Sequence, residues 1–514
     1  MLQNIKHIVY LMLENRSLDN VLGWLYENSA PLHFIPQNNT SPYNGLQTGS
    51  YSNPNGNGGT VPVTQITTEQ GQTIPSVDPN EDFANVQLQI ANNMQGFYTN
   101  FVTTNPTNPA EIMETYTPDS LPVINSLAKQ FAVSDTYFSS IPTQTNCNRA
   151  FSLTGNSIGN YRDSSGYRTA MVDNYWEKLV TDMGDPYTFT EPCIWNVLNN
   201  NGYSSINDWQ VFYSQTWPGL EDYEGSYCFT QDLLWPTMSD NTTNFQDISQ
   251  FFALAASGDL PTFSYLEPVW YELEDGVGHM GNDYHPPANV GCGEQFLYSI
   301  YEALKTSPAW PNTLLIINFD EHGGTYDHVE PSVIVPTPWD NPDDGTAPPN
   351  DNDIYFAFNT LGVRVPLILA SPLINEGTVI RSSTGEPFDH TSVIATILNH
   401  FNIPKTKWGL GSRTANAPTF EDVITLDPEH ARTNVLIAPP LNSNCEADET
   451  STPNDLQLMI MHRFLRHVVV RENKFSVKRY NELYEELFQD ISTIGKLNAA
   501  SKNILARINE EIKR

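Results

Sequence analysis

NTLLIINFDEHGG, residues 312–324, is an apolar run of strand length that stops at two carboxylates, a histidine and two glycines. Its hydrophobicity is continuous, not alternating, which suits a strand buried on both faces of a sheet covered by helices. IKHIVYLML (5–13), QFAVSDTYF (130–138) and VRVPLILA (363–370) have the same form, each leading through a polar turn towards a helical pattern. Helices are predicted over 293–307 and 390–401, the second with Thr391 or Ser392 to cap its start. The fold class is therefore α/β, with a mostly parallel central sheet flanked by helices.

Working outward, residues 37–80 and 336–353 are rich in Asn, Gly, Pro and other turn formers and read as long surface insertions. Residues 441–455 read as a linker between a catalytic domain over 1–440 and a helical region over 456–514. In that tail Tyr480, Leu483, Tyr484, Leu487, Phe488, Ile491 and Ile494 fall at helical spacing, a stripe expected to pack on the rest of the chain.

The chain of 514 residues has a formal charge of -34. Residues 1–445 hold 14 basic against 48 acidic side chains and 446–514 hold 11 of each, so the excess belongs to the larger part. Such a surface opposes nucleic acid and lasting attachment to anionic membrane, leaving transient membrane-surface contact at most. The five cysteines form no C-x-x-C pair, which argues against a zinc knuckle or a thioredoxin-like motif. The apolar stretch near the N-terminus is too short for a transmembrane segment and lacks an A-x-A cleavage site. The expected location is thus the cytoplasm, or outside by a non-classical route.

Ligands of open α/β sheets collect beyond the carboxyl ends of strands. Strand 5–13 delivers Glu14 and Asn15 there, and strand 313–319 delivers Asp320 and Glu321. One such pair alone is more often a helix cap or a solvated turn. Two pairs of oxygen donors, which would repel if left together, suit a divalent cation: Ca²⁺, Zn²⁺ or Mn²⁺. In SSIPTQTNCNRAFSLTG (139–155) a proline-bounded turn presents Thr145, with Asn148 and Arg149 in reach of a bound phosphate. A hydroxyl beside a metal can attack phosphorus, and arginine clamps phosphate oxygens. His285 and His390 each introduce a helix; a lone histidine is usually structural, but these complete the outline of a phosphate site. Asp327 and His328 are expected to serve the following turn structurally.

The blocks HIVYLMLENRSLDNVLG, PTQTNCNRAFSLTG, YHPPANVGCGEQF, the 312–324 stretch, LGVRVPLILASPLI and FDHTSVIATILNHF, in that order, resemble the phosphoesterase family of bacterial and plant non-specific phospholipases C and a bacterial acid phosphatase. The resemblance runs from residue 5 to about 425 and leaves out the tail. It implies an alkaline-phosphatase-like fold and a single metal held by Glu14, Asn15, Asp320 and Glu321, with Thr145 as a nucleophile that also touches the metal. It places His285, His390 and His322 at the site. Glu81 stands where the family commonly has histidine, and Cys147 where proline is usual. The activity implied is metal-dependent phospholipase C chemistry on the glycerol side of the phosphodiester, through a phosphothreonine. The alternatives are an acid phosphatase or phosphodiesterase acting on small soluble phosphoesters, and a non-catalytic binding protein on the same fold. The Trp/Tyr-rich stretch 217–238 is a candidate head-group wall.

Overall fold

The computed structural model describes residues 2 and 4–512, other than 69–70, 163–167, 175–187, 214–227, 235–236, 239–241, 275–276, 333, 340–355, 446–448, 451, 467–476 and 488–490. The four apolar runs all enter one nine-stranded sheet. Its strands are β1 (His7–Leu13), β2 (His33–Ile35), β3 (Ala132–Ser134), β4 (Trp209–Tyr213), β5 (Phe245–Asp247), β6 (Phe263–Leu266), β7 (Thr313–Phe319), β8 (Leu367–Ala370) and β9 (Thr378–Ile380). The order across the sheet is β5-β4-β6-β1-β7-β8-β3-β9-β2.

All neighbours are parallel except at β8, which runs antiparallel to both β7 and β3. An apolar run buried on both faces reads the same in either direction, so its hydrophobicity carries no sign of the reversal. Every residue of β7 is buried, and so is every residue of β1 after His7. That double burial requires helices on both faces.

The flanking helices include α1 (Pro122–Gln130), α2 (Thr145–Thr154), α3 (Val290–Thr306) and α4 (His390–His400). Helix α1 begins at a proline, and its exposed N–H groups are met by Glu294 of α3, which accepts from Val123 N (2.6 Å) and Ile124 N (2.9 Å). Helix α4 is capped by Asp389, two residues ahead of Thr391, the nearer of the expected caps. Its carboxylate accepts from Thr391 N at 2.9 Å, while Ser392 sits at the third helical position and bonds back to Asp389 N.

The expected insertion at 37–80 is partly internal. It forms Ser52–Pro54, Thr60–Pro62 and Thr64–Ile66, and it buries Asn53, Val63 and Ile66. Residues 340–353 of the other expected insertion, and most of the 217–238 wall, lie outside the described residues, while Trp339 at the start of that insertion is buried.

The tail contributes α5 (Asp455–Arg466), α6 (Val477–Leu487) and α7 (Ile494–Ile512). Met459, Leu465, Leu483 and Leu497 join the main core, so the tail packs on the chain's own body. Cys445 is joined to Cys292 at the start of α3, fastening the stretch that reads as a linker. No helix among the described residues is long and apolar enough to cross a membrane.

His462 lies inside the tail layer against Tyr484, ring centroids 4.6 Å apart, and burial pushes its imidazole down to about 3. The unfolded tail binds that proton near pH ~6.5. Tail packing is therefore fully stabilised above that pH and weakens as pH falls from there towards 3, by about 2 kcal/mol at pH 5. Limited proteolysis of the tail is expected to accelerate between pH 7 and 5, and His462→Phe to remove most of that acceleration.

Candidate active site

The parallel pairing of β1 with β7 aligns Leu13 with Phe319, so the next residues, Glu14 and Asp320, leave the sheet at one level. The ladder continues one step further, with Asp320 N donating to Leu13 O at 3.1 Å. Asn15 then turns into the left-handed region (φ 53°), which asparagine tolerates better than most residues. That turn points its backbone N–H at Asp320 Oδ1, 3.1 Å away. Its side chain spans two neighbours: Oδ1 lies 3.4 Å from Thr145 Oγ1, and Nδ2 donates to Glu81 Oε2 at 2.6 Å.

Thr145 is the first residue of α2, and its hydroxyl donates to Glu14 Oε2 at 3.1 Å. The structure thus brings Glu14, Asn15, Thr145 and Asp320 together from three separated segments. Glu321 follows directly, with Oε2 accepting from Gly323 N at 2.8 Å. Gly323 is itself left-handed (φ 56°), and a Cβ there would lie 2.2 Å from Asn15 O. Only glycine fits that approach.

Glu14, Asn15, Asp320 and Glu321 are all fully buried. Loss of water pushes the carboxyls of Glu14, Asp320 and Glu321 above their ordinary range, and mutual repulsion adds to the rise at Glu14 and Glu321. Asp320 Oδ2 and Glu321 Oε1 are buried with no hydrogen-bond partner. Two orphaned carboxylate oxygens beside a hydroxyl and an amide oxygen form a donor set that fits a divalent cation. Glu14, Asn15, Thr145, Asp320 and Glu321 are the residues that could hold it.

Arg149 and Asn148 depart from the sequence expectation. Arg149 is paired through Nε with Glu14, while Nη1 reaches Tyr265 Oη (3.1 Å) and Nη2 reaches Met12 O (3.1 Å). The guanidinium also lies 4.4 Å from the Trp270 ring centre. With Nε, Nη1 and Nη2 each bonded to protein, it holds Glu14 in place. Asn148 donates to Ile141 O, Thr143 O and Gln144 O and accepts from Ile141 N. Both ends of its amide tie down the loop that presents Thr145, so it too is a positioning residue.

The histidines separate in the same way. His322 Nε2 meets Gln89 Oε1 at 2.8 Å, an acceptor that places the proton on Nε2, and Nδ1 stands 3.3 Å from Glu321 Oε2. The ring thus lies beside Glu321. His390 bonds through Nε2 to Phe319 O (3.1 Å), and its buried Nδ1 has no partner. His285 pairs Nδ1 with Pro286 O (2.6 Å), and its buried Nε2 has no partner. Burial pushes both imidazoles down to about 3, so they are neutral near pH 7. With the carbonyl-bonded nitrogen carrying the proton, the other nitrogen offers a lone pair.

Asp327 and His328 belong to a separate structural network. Arg364 Nη2 reaches Asp19 Oδ1 (3.0 Å) and Arg364 Nε reaches Asp327 Oδ1 (2.9 Å), with His328 Nδ1 on Asp19 Oδ2 (2.5 Å). The guanidinium bridges both acids, and the backbone N–H groups of Asp19, His328 and Val329 donate to them.

Several site neighbours escape the sequence reading. Asp283 accepts from His285 N, and its own carbonyl accepts from Glu14 N at 2.7 Å. From the tail, Asn454 Nδ2 lies 3.0 Å from His285 Nδ1, and Met459 Sδ lies 3.1 Å from Asn146 Nδ2. The composition of α5 and of the residue before it gives no signal for these contacts, which cross more than 160 positions of chain.

Gly323→Ala is expected to lower stability by about 1–2 kcal/mol from the left-handed backbone alone. The clash with Asn15 O is expected to depress phosphoester turnover well beyond that loss, and denaturant midpoints measured beside initial rates separate the two effects.

A profile of the Phosphoesterase family matches residues 5–404. Non-specific phospholipase C6 of Arabidopsis thaliana is 32% identical over 437 residues, spanning 82% of this chain and 72% of that protein. Non-specific phospholipase C1 of the same plant is 31% identical over 430 residues, spanning 81% and 70%. Among solved structures, the lipoteichoic acid synthase LtaP of Listeria monocytogenes aligns over 81% of this chain and 78% of its own, with 11% identity and a TM-score of 0.33.

Proposed function

The chain belongs to the phosphoesterase family and is a phospholipase C-like phosphoric ester hydrolase, and from that premise we propose a metal-dependent attack by Thr145 on the glycerol-side phosphodiester of a phospholipid. The observation that carries the reading is the placement of the Thr145 hydroxyl on Glu14 Oε2 and Asn15 Oδ1, beside the unpartnered oxygens of Asp320 and Glu321. A divalent cation held by these residues supplies, when bound, the positive charge that favours an ionised hydroxyl and a phosphate in the same dry site.

The chain's own groups do the rest. Glu14 Oε2 is the acceptor in line for the Thr145 proton, and Arg149 fixes that carboxylate through its other oxygen. Thr145 opens a ten-residue helix, whose N-terminal end favours the negative charge of a phosphoryl group bound there. The Thr145 oxygen bonds to phosphorus as the bond to the diacylglycerol oxygen breaks, and that oxygen leaves with a proton. Water then cleaves the phosphothreonine, Thr145 regains its proton, and the phosphorylated head group departs. His285 Nε2 and His390 Nδ1 are the lone pairs suited to take a proton from that water and return it to a leaving oxygen. Burial keeps both imidazoles neutral at rest, so each enters as a base.

Thr145→Ala is expected to fold normally and to lose turnover by on the order of 10⁴-fold or more, while Thr145→Ser keeps a measurable part of it. Chelation is expected to stop turnover and lower the melting temperature, and restored metal to recover both. Initial rates on phosphatidylcholine micelles are expected to exceed those on p-nitrophenyl phosphate. The reverse order would favour the alternative of small soluble phosphoesters.

A further inference from the structure

Beside the Thr145 site lies a second group of metal-ligating side chains that the mechanism leaves partly unused. Asp78, Glu81 and His285 each offer one ligand atom, and these atoms all lie within 4.8 Å of one another. Glu81 and His285 are buried, and Asp78 stands at the rim with its side chain 18% exposed.

The hydrogen bonds around His285 fix which nitrogen faces the carboxylates. Nδ1 lies 2.6 Å from Pro286 O, which only accepts, and 3.0 Å from Asn454 Nδ2, which only donates; the shorter contact puts the proton on Nδ1 and the lone pair on Nε2. Nε2 is fully buried, has no partner and lies 3.8 Å from Glu81 Oε2. A lone pair therefore faces a carboxylate oxygen whose one donor, Asn15 Nδ2, comes from the far side. Asp78 Oδ1 has no hydrogen-bond partner and lies 3.7 Å from His285 Nδ1, beyond hydrogen-bond reach, while Oδ2 accepts from Asp455 N at 2.9 Å. Buried acceptors turned on one another are costly unless something positive joins them.

The local charge balance points the same way. Glu14, Asp78, Glu81, Asp283, Asp320 and Glu321 crowd this end of the sheet, and Arg149 and Arg16 are the cations that face them. Arg149 is committed to Glu14, and Arg16 hydrogen-bonds to Tyr284 O, Asn20 Oδ1 and Ile74 O. One divalent ion among Glu14, Asp320 and Glu321 leaves Arg16 as the cation that offsets the Asp78–Glu81 side, one charge against two carboxylates.

We propose that Asp78, Glu81 and His285 form a second divalent-cation site next to the first. One imidazole nitrogen with two carboxylate oxygens suits Zn²⁺ or Mn²⁺ better than Ca²⁺, and it leaves a coordination position open towards the substrate. Asn15 links the two sites, its Oδ1 facing Thr145 and its Nδ2 bonded to Glu81. Glu81 stands where the resemblance implies histidine, and as a carboxylate it adds negative charge to the group. The inference deepens the proposed function: with a cation bound there, His285 Nε2 serves as a ligand and His390 Nδ1 is left as the lone pair that exchanges protons, and it rests on that function only for the identity of the neighbouring site.

The test is equilibrium dialysis of the full chain, stripped with chelator, against Zn²⁺ and separately Mn²⁺, with elemental analysis of the retained metal. Wild type is expected to retain two tight equivalents with at least one of these metals, Glu81→Gln and Asp78→Asn one each, and Asp320→Asn to lose the other. One equivalent in wild type, kept in Glu81→Gln and lost in Asp320→Asn, overturns the second site and leaves the first intact; a proton shared between Glu81 and Glu321 then fills the gap. Two equivalents that persist in both Glu81→Gln and Asp78→Asn overturn the assignment to these residues. Retention of neither metal by wild type overturns the second site, and a phosphothreonine formed by that metal-free protein would show that Thr145 chemistry survives without it. Asp78 lies at the rim, so Asp78→Asn gives the reading if Glu81→Gln fails to fold.

Discussion

The register between β1 and β7 is the constraint on which the rest of the structure depends. Parallel pairing places Leu13 opposite Phe319, and the two strands then release Glu14 and Asp320 side by side over a dry floor. A slip of one residue would turn each apolar side chain to the opposite face and part the two carboxylates. Burial on both faces makes that slip expensive, so the sheet's hydrophobic core also fixes the site geometry. Local devices finish the alignment: the left-handed turn at Asn15, the glycine that lets Asn15 O approach, and the first turn of α2 carrying Thr145.

That alignment is held against an electrostatic cost. Glu14, Asp320 and Glu321 are buried together, and loss of water raises their proton affinity instead of rewarding their contact. Arg149 offsets part of this at Glu14, with Trp270 and Tyr265 fixing its plane and direction. The network of Arg364, Asp19 and Asp327 shows the other outcome: there a guanidinium meets both carboxylates, and the acids are structural. The contrast between a satisfied cluster and an unsatisfied one separates scaffold from candidate site more clearly than residue type does.

The strands and their polar ends were legible because a buried parallel strand writes a continuous apolar run, and the residue after it is placed by chain connectivity. Glu14, Asn15, Asp320, Glu321 and Thr145 could be read that way, with the order of blocks tying them together. The direction of β8 could not, since an apolar run has no polarity. Nor could the work of Arg149 and Asn148, because a donor reads alike whether it meets a substrate or a backbone carbonyl. Asp389 as the α4 cap was open to reading, but Thr391 and Ser392 compete on composition alone. The approach of Asn454 and Met459 to the site depends on how the tail docks, which local sequence does not encode. Glu81 stood out as a departure, but only the structure sets it beside Asp78 and His285.

The central claim is that phosphorus passes through the Thr145 oxygen. Its most direct test is acid quench of the enzyme during turnover of a phospholipid, followed by peptide mass spectrometry. With phosphatidylcholine as substrate, the account predicts one added phosphocholine group on the peptide that carries Thr145, present during turnover and absent once substrate is exhausted. The same adduct on another side chain, with Thr145 unmodified throughout turnover, would contradict it.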